Sequence, residues 1–330
     1  MKIALIGTGA WATALAQVLA DNGHRPFLYG IVKDQIDDIN QNHVNTAYFK
    51  DKKIHEGIKA TLDLKKALKG AHVIVLAVPT PAMETVLKNL VLHLTRKVTI
   101  VNVAKGFSDD NRRMSEVIKG IIPKEMMFPL VSLIGPSHAE EVIERHLTSV
   151  TATSLSRARG HRIARLFSNN YFRMYIQTDE VGAELGVAMK NVIAIASGII
   201  EGLGLGDNAR AALVTRGLAE MSSFGTHFGG RLKTYLGLTG LGDLAVTCYS
   251  FHSRNFKAGL EIGKADGAKA FLATNKTTVE GLRAAKTIHE LAQASHLSVP
   301  IVDAVYRVIY EDVHPSEMVA EMMSRPLKEE

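Results

Sequence analysis

The chain has 330 residues, 46% hydrophobic and 22% charged, with a formal net charge of +6. That length supports two domains with sizeable cores, and the composition excludes a disordered or collagen-like chain. The single cysteine, Cys248, excludes an internal disulfide. No apolar stretch in the sequence is expected to span a membrane, and the lysines and arginines are scattered rather than interleaved with aromatics. The expectation is a cytoplasmic protein that is not an integral membrane protein and has no nucleic-acid partner.

The first apolar run, residues 2–6, predicts a buried strand. It breaks into Gly7-Thr8-Gly9-Ala10-Trp11-Ala12, and an Ala-rich helical pattern follows. A dinucleotide pyrophosphate needs this geometry. Gly7 permits the tight turn, Gly9 lets the backbone approach the phosphates, and Ala12 in the third small position lets the helix lie close to the strand. The start of that helix offers open N–H groups and partial positive charge. The alternative is a strand-to-helix turn that holds no ligand.

Further strands are predicted at 26–29, 72–78, 98–103, 130–134, 148–153 and 171–175, with helices at 81–94 and 156–167 among those between them. This alternation predicts an α/β fold, a Rossmann-like doubly wound sheet with helices on both faces and ligands at the carboxyl ends of the strands. The loops there carry Pro79 and Lys105. Near Thr178 the pattern changes, and helical periodicity takes over at 184–200, 209–224, 255–262, 279–294 and 301–310. Two domains are expected: 1–178 for the dinucleotide and 179–330, all-helical, for substrate binding and catalysis.

No metal site is expected, since there is no Cys pair and no H-E-x-x-H spacing. The stretch 259–265 resembles a phosphate loop but is one residue short and has Ala265 where a hydroxyl belongs. Polar residues in apolar or Gly-rich settings remain. Lys190 is either a solvated helix lysine or a buried functional amine. Asp243, taken alone, is a helix N-cap. Ser253-Arg254-Asn255 at a helix start, and Gly135-Pro136-Ser137-His138 between a strand and a helix, suit a phosphate or are simple caps.

Taken together, these motifs resemble the bacterial-type NAD(P)-dependent glycerol-3-phosphate dehydrogenases along nearly the whole chain. The matching runs are GTGAWATALA (7–16), AKGF (104–107), GPSHAE (135–140), KNVIA (190–194), GDNAR (206–210), TRGLAE (215–220), GLGDL (240–244), SRN (253–255) and VEG (279–281). The resemblance implies reversible hydride transfer between NADPH or NADH and dihydroxyacetone phosphate, giving sn-glycerol 3-phosphate for glycerophospholipid biosynthesis. It implies a homodimer. It makes Lys190 the catalytic lysine and assigns substrate contacts to Lys105, Gly135, Ser137, Asn191, Asp243, Thr247, Ser253, Arg254 and Asn255, with Arg254 at the phosphate. Gly7, Gly9, Ala10, Trp11, Ala12, Pro79, Lys105, Ala139, Arg254 and Glu280 fall to the cofactor. Related sequences often place Arg or His where Ile31 stands, which leaves Lys33 as the basic group available to an NADP phosphate or to solvent. The nearest enzymatic alternative is a 3-hydroxy-acid dehydrogenase, which places Asn one helical turn after the lysine, where this chain has Ala194. A non-catalytic dinucleotide sensor would need the first domain but not the polar residues of the second.

Overall fold

The computed structural model describes residues 1–326 and Glu329. The chain divides into two compact units, Met1–Glu180 and Val181–Glu330.

The first unit carries one eight-stranded sheet: β1 (Lys2–Ile6), β2 (Arg25–Tyr29), β3 (Lys59–Thr61), β4 (Val73–Leu76), β5 (Thr99–Asn102), β6 (Val131–Ile134), β7 (Thr148–Thr153) and β8 (Phe172–Gln177). The order is β3-β2-β1-β4-β5-β6-β7-β8. All pairs are parallel except β6 with β7. Its helices are α1 (Ala10–Asp21), α2 (Lys33–Asp37), α3 (Thr46–Phe49), α4 (Leu64–Leu68), α5 (Met83–Val91), α6 (Met114–Ile121), α7 (Ala139–Ile143) and α8 (Arg157–Phe167). Residues 73–76, 99–102 and 131–134 are buried throughout, as required of strands covered on both faces. Alternate side chains supply two cores. Ile3 and Leu5 pack with Leu15 of α1, Val142 of α7 and Ile163 of α8. Ala4 and Ile6 pack with Leu68 of α4, Leu87 of α5 and Val117 of α6.

The doubly wound arrangement with a helical second part matches the sequence expectation, and the differences have local causes. The strand expected to run to residue 78 ends at Leu76, although the Ala77 N–H still donates to the Ile6 carbonyl at 2.9 Å and its own carbonyl closes on Gly7. Strand β3 is a three-residue edge without an apolar run, so nothing in its sequence marked it. The helix expected over 81–94 opens as a 3-10 turn at Thr80–Ala82 and ends at Val91.

In the second unit α9 (Glu180–Gly202) leads to α10 (Gly206–His227), α11 (Leu232–Tyr235), α12 (Asp243–Tyr249), α13 (Arg254–Lys264), α14 (Lys269–Thr274), α15 (Glu280–Ala294), α16 (Pro300–Tyr310) and α17 (Pro315–Met323). Contrary to the sequence expectation, α9 is long and apolar enough to cross a membrane, but its apolar window is entirely buried within the protein. A helix apolar on every side is what a central core position requires. Its crossing with α13 is made close by glycines. A Cβ on Gly198 would meet the Phe256 carbonyl at 2.1 Å, and one on Gly259 would meet the Ile195 carbonyl at 2.0 Å. The phosphate-loop lookalike at 259–265 is therefore a helix-packing surface.

Glu220 of α10 is buried and accepts hydrogen bonds from the backbone N–H groups of Ile301 and Val302 at 2.9 and 3.0 Å, satisfying the open start of α16. Burial raises its carboxyl to about 7, and the two N–H bonds oppose that rise. The folded state thus holds a proton that the unfolded chain gives up near the ordinary glutamate value. Stability is greatest below that value and falls as the pH rises toward 7, by about 3 kcal/mol in all. Glu220→Gln removes this slope. Thermal melts from pH 5 to pH 8 should show the wild type losing several degrees relative to the variant. Parallel curves would mean that Glu220 titrates as an exposed acid does.

Candidate active site

In the first unit the cofactor-candidate residues gather at the carboxyl edge of the sheet, where the chain turns from β1 to neighbours on opposite sides. Gly7 has φ +124°, a conformation that favours glycine. A Cβ there would lie 2.5 Å from the Ala77 carbonyl, in the loop that follows β4. The Gly7 N–H donates to the Tyr29 carbonyl at 2.7 Å, which ties the turn to β2. Gly9 occupies the cap position of α1, where no side chain caps the helix, and its own Cβ would meet nothing nearer than the Tyr48 hydroxyl at 4.0 Å. Ala10 and Trp11 are half-buried, while Ala12 faces the core. This cradle fits a dinucleotide pyrophosphate: the backbone is open at Gly9 and the first-turn N–H groups of α1 have no intrahelical partner.

Two more loops join that edge. Thr80, next to exposed Pro79, donates from its hydroxyl to the Lys105 carbonyl at 3.2 Å, linking the loops after β4 and β5. After β6, Gly135 packs against Val150, and Ser137 donates to the Gly135 carbonyl at 2.9 Å just before Ala139 opens α7. Ile31 is 84% exposed, and the exposed Lys33 amine is paired with Asp37 at 2.5 Å.

Sequence reasoning missed Asn45. It is fully buried and donates to both the Thr8 carbonyl and the Thr13 hydroxyl at 2.9 Å, bracing the glycine turn from outside. Gln35 accepts from the Thr8 hydroxyl at 2.7 Å. Both residues belong to an irregular stretch of short helices, and no local pattern could have marked them.

In the second unit Lys190 sits near the middle of α9, only 4% exposed. Its amine donates to Asp243 at 2.7 Å and to the Thr247 hydroxyl at 2.8 Å, and the Thr247 hydroxyl donates to the Asp243 carbonyl at 2.5 Å. Lys190 is therefore not a solvated helix lysine. Asp243, 1% exposed, is not the cap of α12 either; Gly242 holds that position. A π turn at Leu238–Gly242 delivers Asp243 inward, and Gly240 packs so closely on Tyr235 that a Cβ would lie 2.1 Å from its carbonyl. Removing a buried ammonium or carboxylate from such a pair strands the other charge, so the two must be kept together.

A second polar chain runs alongside. The Asn191 side chain donates to Glu280 at 3.4 Å, Asn255 donates to Asn191 at 3.0 Å, and the Gly281 N–H donates to Asn255 at 2.9 Å. This joins α9, α13 and the start of α15. Ser253 caps α13 by accepting from the Phe256 N–H at 3.2 Å, and Arg254, next in sequence, is exposed at the helix start. Lys190, Asp243 and Thr247 thus form one connected cluster and Asn191, Asn255 and Glu280 another, while Ser253 and Arg254 stand at the start of α13 beside Asn255 in sequence. Among the described residues no group of His, Cys, Asp or Glu could hold a metal ion.

The sequence matches the NAD-dependent glycerol-3-phosphate dehydrogenase N-terminal region over residues 2–159 and the C-terminal region over residues 179–320. It is 45% identical over 330 residues to the glycerol-3-phosphate dehydrogenase (NAD(P)+) of Staphylococcus epidermidis, covering 100% of this chain and 99% of the relative. The corresponding Streptococcus uberis protein is 44% identical, with 100% and 98% covered. The crystal structure of glycerol-3-phosphate dehydrogenase from Coxiella burnetii superposes with a TM-score of 0.90 at 36% identity, covering 98% of each chain. A glycine cradle on a doubly wound sheet, a buried lysine–carboxylate pair in a helical second unit and end-to-end similarity agree: this chain belongs to the NAD-dependent glycerol-3-phosphate dehydrogenase family.

Proposed function

We propose that the chain is an NAD(P)-dependent sn-glycerol-3-phosphate dehydrogenase that interconverts dihydroxyacetone phosphate and sn-glycerol 3-phosphate for glycerophospholipid synthesis. The observation that supports this most is the buried Lys190–Asp243–Thr247 cluster, in a chain that is similar to the family from end to end. The bound nicotinamide cofactor supplies or accepts the hydride at C2 of the substrate. The protein's own groups do the rest.

Residues 1–178 hold the dinucleotide, with Gly7, Gly9, Ala10, Trp11 and Ala12 at the pyrophosphate and Pro79, Lys105 and Ala139 as further contacts; Arg254 and Glu280 are cofactor contacts supplied by residues 179–330. Residues 179–330 hold the substrate and carry catalysis. Negative charge grows on the C2 oxygen during reduction. Lys190 donates a hydrogen bond and then a proton to it, and takes that proton back in the oxidative direction. Asp243 and Thr247 hold the amine in place. Lys105, Gly135, Ser137, Asn191, Ser253 and Asn255 contact the substrate. Arg254 grips the phosphate with a planar, two-pronged donor set that lysine cannot copy. Arg254→Lys should raise KM for dihydroxyacetone phosphate about tenfold or more, the equivalent of one lost charge-assisted hydrogen bond, with little change in kcat. An unchanged KM would move the phosphate elsewhere.

Lys33 meets the extra phosphate of NADPH, so Lys33→Ala lowers the ratio of kcat/KM for NADPH over NADH, and an equal ratio in both proteins assigns Lys33 to solvent. The enzyme works in the cytoplasm as a homodimer, without a nucleic-acid partner. The reading as a whole is tested by following NAD(P)H absorbance with dihydroxyacetone phosphate: oxidation supports it, and none with either cofactor refutes it.

A further inference from the structure

Basic residues far apart in sequence converge on the amino edge of the sheet in the first unit. At the start of β1 the Lys2 amine donates to the carbonyls of Lys66 and Lys69 at 2.9 and 2.7 Å, and Lys2 stands in register beside Arg25 of β2. Ahead of β4 and β5 lie His72 and Arg96, bonded to each other at 2.9 Å. Lys97 and Arg159 both lie over the Phe128 ring, at 5.2 and 3.5 Å from its centroid. A cleft of about 510 Å³ completes the edge, lined by His24, Val73 and, from α8, His161, Arg162 and Arg165.

α8 contains no acidic residue. Elsewhere in the unit cations take carboxylates, as in the Lys33–Asp37, Lys52–Glu144 and Arg145–Asp21 pairs. None of the lysines and arginines just named on the amino edge forms an ion pair with a carboxylate among the described residues. They repel one another instead: after burial, the neighbouring Lys69 and Lys66 lower the Lys2 amine, and Arg162 lowers Arg159.

We propose that this edge docks the protein onto a bilayer surface bearing anionic phospholipid headgroups. The charges extend along the ends of four adjacent strands and onto helices covering both faces of the sheet, which is a broad front rather than a strand-tracking channel. The aromatic rings beside these cations are already covered, Phe27 by the Lys2 amine at 4.6 Å and Phe128 by Lys97 and Arg159, and offer no platform for stacking a base. The front also lies at the opposite ends of the strands from the Gly7 turn, so docking leaves the cofactor cradle open. Attraction of this kind is additive over basic residues and fades within a Debye length.

The test is co-sedimentation of the full chain with vesicles of phosphatidylcholine alone and of phosphatidylcholine containing one-third phosphatidylglycerol. Binding is expected only to the anionic vesicles, with release at high salt. The double variant Arg162→Glu/Arg165→Glu should lower partitioning about thirtyfold or more, about fivefold for each cation lost. A control of equal net charge on the second unit, Lys233→Glu/Lys286→Glu, should retain it, and both proteins should keep wild-type turnover with soluble substrate. Equal binding to neutral vesicles, retention by the edge variant, an equal loss in the control, or tighter binding to duplex DNA than to the anionic vesicles would each overturn the proposal.

Discussion

Lys190→Ala is expected to lower turnover with dihydroxyacetone phosphate at least about a hundredfold, the low end for a lost acid–base group, while NADPH still binds. The alkoxide forming at C2 would lose both its charge partner and its proton source. The cradle around Gly7 and Gly9 lies in the other unit and keeps its geometry. Loss of the amine also leaves Asp243 as a buried carboxylate, so the variant is less stable, and the assay must run well below its melting temperature. NADPH fluorescence titration and single-turnover absorbance separate the two effects. Near-normal hydride transfer would remove Lys190 from the chemistry.

Asp243→Ala should cost about 3–5 kcal/mol of stability, the range for stranding one member of a buried ion pair. The Lys190 amine lies 2.7 Å from the carboxylate with almost no solvent contact, so water cannot replace what is removed. Turnover should fall as well, because the amine loses the group that aims it. Denaturant titration measures the first effect. A loss below about 1 kcal/mol would mean that the pair behaves as exposed pairs do.

The fold was largely legible because its signals are local. Buried apolar runs such as residues 73–76 and 131–134 mark strands directly, and the Gly7 turn announces itself by composition. The edge strand at Lys59–Thr61 carries no such run, and the short helices between residues 33 and 49 are set by tertiary contacts of Asn45 and Gln35 rather than by periodicity. The candidate site was read mainly through family resemblance. By itself, Lys190 reads first as a solvated helix lysine, and only the burial of α9 overturns that reading. Asp243 reads as a cap because the π turn that rotates it inward has no sequence signature of its own. The basic edge was invisible for a simpler reason: Lys2, Lys66, Lys97 and Arg162 are brought together by sheet order, not by sequence proximity.

The measurement that tests the central claim most directly is the turnover and stability of Lys190→Met/Asp243→Leu. Replacing both charges with apolar side chains removes the stranded group, so unfolding free energy should return to within about 1–2 kcal/mol of wild type or exceed it. Turnover should remain at least about a hundredfold down, because no proton donor stands at the C2 oxygen. A double variant that is stable and reduces dihydroxyacetone phosphate at the wild-type rate would show that the pair serves only the fold.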